Sequence, residues 1–268
     1  MSGSADNSII IYNQMTYQPD LIIKEHTGNI YCIIQLSSGV LASCSSDKTI
    51  KLFNIKGNEY ENLQTLKFHT NNVYKIIELK NKFLVSCSAD ASILFYFKDN
   101  LEYQKDYKET TNGQCYSVIQ TKDNEICYSE ETNSSICFFD LSERKKKNNI
   151  NNISKLNNYY FYFMMITKDL LLIPGENKLS IINVNQYRLI RVIDVSGSSS
   201  ISAICKLNNN MILTGDYAET IRQWRIEGDN LILISKKEKA HEHDISFLLN
   251  IGDGHIASGS DDKFIKIW

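Results

Sequence analysis

Apolar residues in this chain fall in short runs, many alternating with polar ones, and clusters of Ser, Asn, Asp and Gly separate the runs. Period-two alternation sends successive side chains to opposite faces, which predicts half-buried strands joined by tight turns. The segment VLASCSSDKTIKLFN (40–54) shows the unit: a small apolar strand, a polar turn carrying Asp47, then an alternating strand ending in an aromatic. Residues 2–13, 83–97, 125–140 and 255–268 repeat it, and 171–184 and 211–226 are weaker copies. Anchored on the turn, the copies stand at Asp6, Asp47, Asp90, Asn133, Glu176, Ala218 and Asp262, spaced 41 to 44 residues apart. Six residues past each anchor come Tyr12, Phe53, Tyr96, Phe139, Ile182, Trp224 and Trp268, aromatic in six of seven copies. A fixed period of this length marks a repeat architecture, whose units bury their apolar faces against neighbours.

Two further positions recur. Twenty-one residues before the turn Asp stand His26, His69 and His241; four before it stand Ser43, Ser86 and Ser258, with Ser2, Ser129 and Thr214 in other copies. In these residues and in its period the whole chain resembles the WD40-repeat (β-transducin-like) family. The resemblance implies an all-β fold, a seven-bladed WD40 β-propeller of four-stranded antiparallel blades, forming one domain over 1–268. Repeat units would run near 1–25, 26–68, 69–111, 112–154, 155–196, 197–240 and 241–268. The family's His–Ser–Asp–Trp hydrogen-bond network implies structural roles for His26, Ser43, Asp47, His69, Ser86, Asp90, His241, Ser258, Asp262 and Trp268. A buried carboxylate is tolerable only among donors, and imidazole, hydroxyl and indole supply them.

Departures from the family pattern carry expectations of their own. Glu25, Phe68 and Ala240 replace the Gly that precedes the family His, and Phe53 and Phe139 cannot donate. Asn112, Lys155 and Gly197 occupy His positions, so the middle units are expected to hold mainly by apolar packing and to open more readily. For the Asp47 unit we expect strands near 29–36, 40–44, 49–55 and 60–67. The first unit lacks an inner strand and the last an outer one, which leaves one blade seam incomplete. Seven units of ~43 residues need about 31 more than are present, as in a longer polypeptide truncated at both ends.

Charge narrows the partners. Lys+Arg total 29 and Asp+Glu 31, a net charge of −2, which gives no counterion-release drive toward nucleic acid and no polybasic pull toward a membrane. The longest apolar stretch, 159–166, is far short of the ~18 residues a membrane span needs. The 7 Cys form no C-x-x-C pair, so we expect core thiols in a reducing compartment. That places the chain in the cytoplasm, with the nucleus as the alternative, and implies no metal and no cofactor. In HEHD (241–244) His241 takes the structural position and His243 is expected at the surface. SGSSS (196–200) reads as a turn entering an inner strand, and ERKKKNNINN (143–152) as a solvated, mobile loop. Ser, His and Asp recur from unit to unit, which marks fold determinants, whereas a catalytic group occurs once; the chain is not expected to be an enzyme.

The resemblance also places partner contacts three and five residues after the His and just before the anchor. Those positions are Asn29, Tyr31, Asn72, Tyr74, Asn158, Tyr160, Tyr217, Asp244 and Asp261; in the fourth unit they fall on Cys115, Ser117 and Thr132. Tyr stands out among them, a residue enriched at binding hot spots. The implied function is a non-catalytic scaffold or adaptor that binds proteins or peptides in a multiprotein complex, with no small-molecule substrate. The alternative is a recognition module of a larger effector, such as a ubiquitin-ligase receptor or a kinase-linked domain.

Overall fold

The computed structural model describes residues 1–268 apart from Leu101, Asn152, residues 154–161, Ser196 and Ser198. Among the described residues the chain forms seven antiparallel sheets, each strand paired with its neighbours in sequence. It divides into two compact units, Met1–Asp123 with Tyr128–Thr132, and Asn124–Cys127 with Asn133–Trp268.

The first unit holds a three-stranded sheet, Ser2–Gly3, Ile9–Tyr12 and Pro19–Ile23. The second sheet runs Ile30–Gln35, Leu41–Ser45, Ile50–Lys56 and Glu59–Leu66, each strand within two residues of its expected bounds. The third is Val73–Glu78, Leu84–Ser88, Ser92–Asp99 and Glu102–Thr110. The division of the chain falls in the fourth sheet, Val118–Lys122, Glu125–Glu130, Ser135–Asp140 and Lys145–Ile150. The second unit continues with Met164–Met165, Leu170–Gly175, Lys178–Asn183 and Arg188–Asp194 as the fifth sheet. Ile201–Asn208, Met211–Asp216, Ile221–Glu227 and Asn230–Lys237 form the sixth. Ile245–Gly252, His255–Ser260 and Ile265–Ile267 form the three-stranded seventh.

Two backbone devices recur with the repeat. The residue after every anchor is left-handed: Asn7, Lys48, Ala91, Ser134, Asn177, Glu219 and Lys263 have φ between 45° and 71°. A residue with φ > 0 gives the hairpin a twist that matches its strands. Non-glycine side chains there cost roughly 1–2 kcal/mol, so the surrounding contacts must hold the turn. The second device is a bulge between third and fourth strands. Register shifts fall at Ile11/Tyr12, Leu52/Phe53, Phe95/Tyr96, Phe138/Phe139, Ile181/Ile182 and Gln223/Trp224, always at the step onto the +6 residue. A bulge adds local twist and re-aims the side chain beside it. The +6 aromatic is therefore tied to a backbone irregularity as well as to packing.

Each core forms where inward faces of successive sheets meet. In the first unit Cys44, Leu52, Val73, Ile76, Leu94 and Tyr96 are buried in one cluster; in the second, Leu172, Ile181, Ile212 and Trp224 are. Each such aliphatic side chain contributes roughly 1.5–3 kcal/mol on full burial.

The basic segment expected as a mobile loop is instead a strand. Lys145–Ile150 is the outermost strand of the fourth sheet, paired Ile136↔Ile150, Cys137↔Asn149 and Asp140↔Lys145. Its residues 145–149 are exposed, so no apolar alternation is needed there, and lysine on an edge discourages pairing with another chain.

Candidate functional site

The site is best built from the turns that carry it. In the second sheet His26 Nδ1 lies 2.7 Å from Asp47 Oδ2, and its Nε2 lies 2.7 Å from Ser43 Oγ. A carboxylate only accepts, so Nδ1 carries the shared proton. Thr27 N (3.1 Å), Thr49 N (3.0 Å) and Thr49 Oγ1 (2.6 Å) also donate to Asp47. The third sheet repeats this with His69, Asp90 (2.8 Å) and Ser86 (2.7 Å), and the seventh with His241, Asp262 (2.7 Å) and Ser258 (2.7 Å). Trp268 Nε1 donates to Ser258 Oγ at 2.8 Å, and Tyr96 reaches Ser86 at 3.0 Å through its hydroxyl. Burial raises the pKa of Asp47 and Asp90, but hydrogen bonds led by those from His26 and His69 outweigh it and hold both well below the usual carboxylate range. Asp262 is held at about 2: burial opposes the shift, and the Phe264 amide and His241 are the leading donors that produce it.

Two of the units without the His add polar clasps to the apolar packing expected from sequence. In the sixth sheet the buried Arg222 guanidinium pairs with buried Asp216, and its Nη2 donates to Gly197 O at 3.0 Å, in the place a His would hold. Asp216 Oδ1 accepts from Ala218 N and Thr220 N, both at 3.0 Å, and Trp224 Nε1 donates to Thr214 Oγ1 at 2.9 Å. Beside the fourth sheet, Asn112 N and Nδ2 donate to buried Glu130 at 3.2 and 3.3 Å. Asp216, Arg222 and Glu130 lie off the repeated offsets, so the register of the repeat does not reveal them.

The clasped turns present the positions expected to meet partners. In four units a backbone bond joins the residue before the anchor to the residue three after the His position: Ser46 N to Asn29 O (2.9 Å), Ala89 N to Asn72 O (2.9 Å), Tyr217 N to Ser200 O (3.1 Å) and Asp261 N to Asp244 O (3.1 Å). In the fourth unit the bond runs from Glu131 N to Gln114 O (3.0 Å), one residue off the expected register. The slip leaves Cys115 and Ser117 buried and brings Tyr116 and Glu131 to the expected place. Asn158 and Tyr160 lie outside the described residues.

Within the first unit three half-buried tyrosines then stand in series. Tyr31 and Tyr74 have ring centroids 5.2 Å apart at 58°, and Tyr74 and Tyr116 have theirs 5.0 Å apart at 31°. These are favourable offset or tilted geometries, each worth roughly 0.5–1.5 kcal/mol beyond burial. Polar tips fix the rings: Tyr74 Oη donates to Gln114 Oε1 (3.1 Å) and Tyr116 Oη to Glu131 Oε1 (3.3 Å). Burial pushes the Tyr31 hydroxyl pKa up, while a hydrogen bond with Ser46 opposes the shift. Asn29 is exposed at the edge of this stripe. In the second unit Asp244 and Asp261 lie close, and burial together with the Asp261 charge pushes the Asp244 carboxyl up. The stripe presents tilted aromatic rings with the Gln114 and Glu131 side-chain oxygens at its rim.

Comparison with known proteins agrees with this geometry. Residues 17–54 and 234–268 match the family model described as WD domain, G-beta repeat. A chain in the crystal structure of a mitotic checkpoint complex superposes with a TM-score of 0.81 at 12% identity, covering 98% of this chain and 81% of that one. Solved chains that match number 1482, so the likeness defines an architecture and not a role. No curated protein matches in sequence. The fold is a seven-bladed β-propeller of antiparallel blades, two of them three-stranded, and together with the family match it fits a WD40-repeat protein. Such propellers are generally non-catalytic interaction modules. Among the described residues no helix is long and apolar enough to cross a membrane, and no group of three His, Cys, Asp or Glu side chains could hold a metal ion.

Proposed function

We propose that this chain is a non-catalytic scaffold that docks a protein or peptide partner of a larger assembly on the stripe Tyr31–Tyr74–Tyr116. The observation that carries this reading is the contiguous stack itself: three rings from successive repeat units, each half-buried and held by neighbours, present a preorganised surface. Preorganisation lowers the entropy lost on binding, and tyrosine adds area with a polar tip. Glu131 and Gln114 at the rim supply acceptors, which favours a partner segment bearing lysine or arginine over an acidic one. The near-neutral net charge supports a polypeptide partner over nucleic acid, and the seven free buried thiols support a reducing compartment such as the cytoplasm.

The test is quantitative affinity capture with the wild-type chain, a Tyr31→Ala, Tyr74→Ala, Tyr116→Ala variant and a Leu63→Ala control at an exposed outer-strand position. Truncating hot-spot tyrosines typically costs ~1–2 kcal/mol each, so the triple variant should lose captured partners by more than about tenfold. The control should retain them, and the triple variant, which gives up its own ring contacts, should melt lower yet keep the wild-type circular dichroism at the assay temperature. Undiminished capture by a folded triple variant would overturn the assignment.

A further inference from the structure

Four of the seven thiols crowd into the first unit, and the repeat does not require them. Cys32 and Cys44 are direct cross-strand partners on adjacent antiparallel strands, next to the bulge between Ile30 and Cys32. Cα atoms of directly opposed residues in such a pair lie ~4.5–5.5 Å apart. That interval sits inside the roughly 4.4–6.8 Å window that a disulfide spans. The Cys32 thiol donates to Ile76 O, 3.7 Å away. Lys75, half-buried on the inner strand of the third sheet, is opposed to Cys87 in register and acts electrostatically on Cys32, Cys44 and Cys87. All seven cysteines are free.

The two partners are unequal. The neighbouring Cys44 thiol, aided by the Lys75 charge and against the effect of burial, brings the Cys32 thiol down to about 6, while burial pushes Cys44 up. Cys32 is 8% exposed and Cys44 fully buried. Cys32 is thus the better nucleophile of two buried thiols, and Cys44 stands directly opposite it, as a resolving cysteine stands to a peroxidatic one.

We propose that Cys32 and Cys44 form an oxidisable dithiol that a hydroperoxide converts to a cross-strand disulfide. The Cys32 thiolate attacks one peroxide oxygen; the O–O bond breaks, giving Cys32 sulfenic acid and hydroxide, which takes a proton to leave as water. The Cys44 sulfur then attacks the sulfenic sulfur, the S–O bond breaks, and a second water leaves with the Cys44 proton. In sum two thiols and one hydrogen peroxide give one disulfide and two waters, the two electrons passing from sulfur to peroxide oxygen.

The test uses the whole chain, hydrogen peroxide at neutral pH, and alkylation in denaturant followed by peptide mass spectrometry. The expected product is a peptide linked through Cys32 and Cys44. Cys205 is the internal control, because it is 7% exposed yet burial pushes its thiol up. Before oxidation, iodoacetamide at pH 7 should label Cys32 at least about tenfold faster than Cys205. In Cys44→Ser the Cys32 sulfenic acid should accumulate and be trapped by dimedone. Equal labelling of Cys32 and Cys205, a disulfide through other cysteines, or peroxide treatment that leaves both thiols free would each overturn the proposal. If Cys44→Ser does not fold, the linked wild-type peptide decides alone.

Discussion

Arg222 shows how one residue can take over the work of a missing one. Its guanidinium sits with Asp216 in a buried ion pair and also holds Gly197 O, so it closes the loop that His26, His69 and His241 close elsewhere. Two buried charges are tolerated only as a hydrogen-bonded pair, and removal of one leaves the other uncompensated. Arg222→Met should therefore destabilise the protein by about 3–5 kcal/mol, whereas Arg222→Met combined with Asp216→Leu should recover most of that loss. Urea unfolding of the two variants beside wild type measures both. Equal stability of the single and double variants would show that the pair does not couple. A second residue-scale expectation concerns Ser258, which accepts the Trp268 indole bond in addition to contacting His241. Trp268→Phe removes that donor together with part of the ring beside His241 and should cost at least about 0.5–1.5 kcal/mol, read from the urea midpoint.

At the scale of the element, the sheets differ in how their strands are tied. In the second and third sheets, inner strands of six residues pair along five positions each and the turn is clasped by His and Asp. Among the described residues the fifth sheet's inner strand is Met164–Met165, paired with Leu172 and Leu171. The strand Leu170–Gly175 is buried and pairs along its length with Lys178–Asn183, and its unit has no His at the clasp position. Backbone amides of Leu170–Gly175 should exchange with solvent at least about tenfold faster than those of Leu41–Ser45, a difference of about 1.4 kcal/mol in opening free energy. Native-state hydrogen exchange read by mass spectrometry checks this; equal protection would place the cohesion in packing alone. These elements also mark the limit of what the sequence discloses. Anchors and +6 aromatics are legible because seven copies average out local noise. Lys145–Ile150 is not, because an exposed edge strand owes its pairing to the neighbour it extends and needs no apolar face of its own. Tyr116 escapes because the fourth unit slips by one residue between Asn112 and Asn133, although its own aromatic character, beside Tyr31 and Tyr74, is the signal that realigns it. The Asp216–Arg222 pair escapes because geometry, not offset, brings its members together.

At the scale of the whole molecule, the repeated clasps make stability depend on acid. Asp47 and Asp90 lie in the first unit and Asp262 in the second, and all three carboxyls are held below their ordinary value by hydrogen bonds that outweigh burial. A group whose pKa is lower folded than unfolded stabilises the native state fully above its unfolded value, near 3.9 for Asp, and loses that contribution as pH falls through the folded value. Stability should thus be flat in these groups from pH 7 to about 5, decline below about 4, and keep declining past pH 2, since Asp262 titrates only at about 2 and the other two lie lower still. The sign follows from proton counting: near pH 3 the unfolded chain binds protons at these positions that the folded chain refuses. Asp47→Asn with Asp90→Asn should lower stability at pH 7 and flatten its fall between pH 5 and 2, because an amide cannot titrate. Urea midpoints of the wild type and this double variant at pH 7, 5, 4, 3 and 2 measure the effect. Parallel curves would mean that other carboxylates govern acid unfolding, and that the clasps act through shape more than through charge.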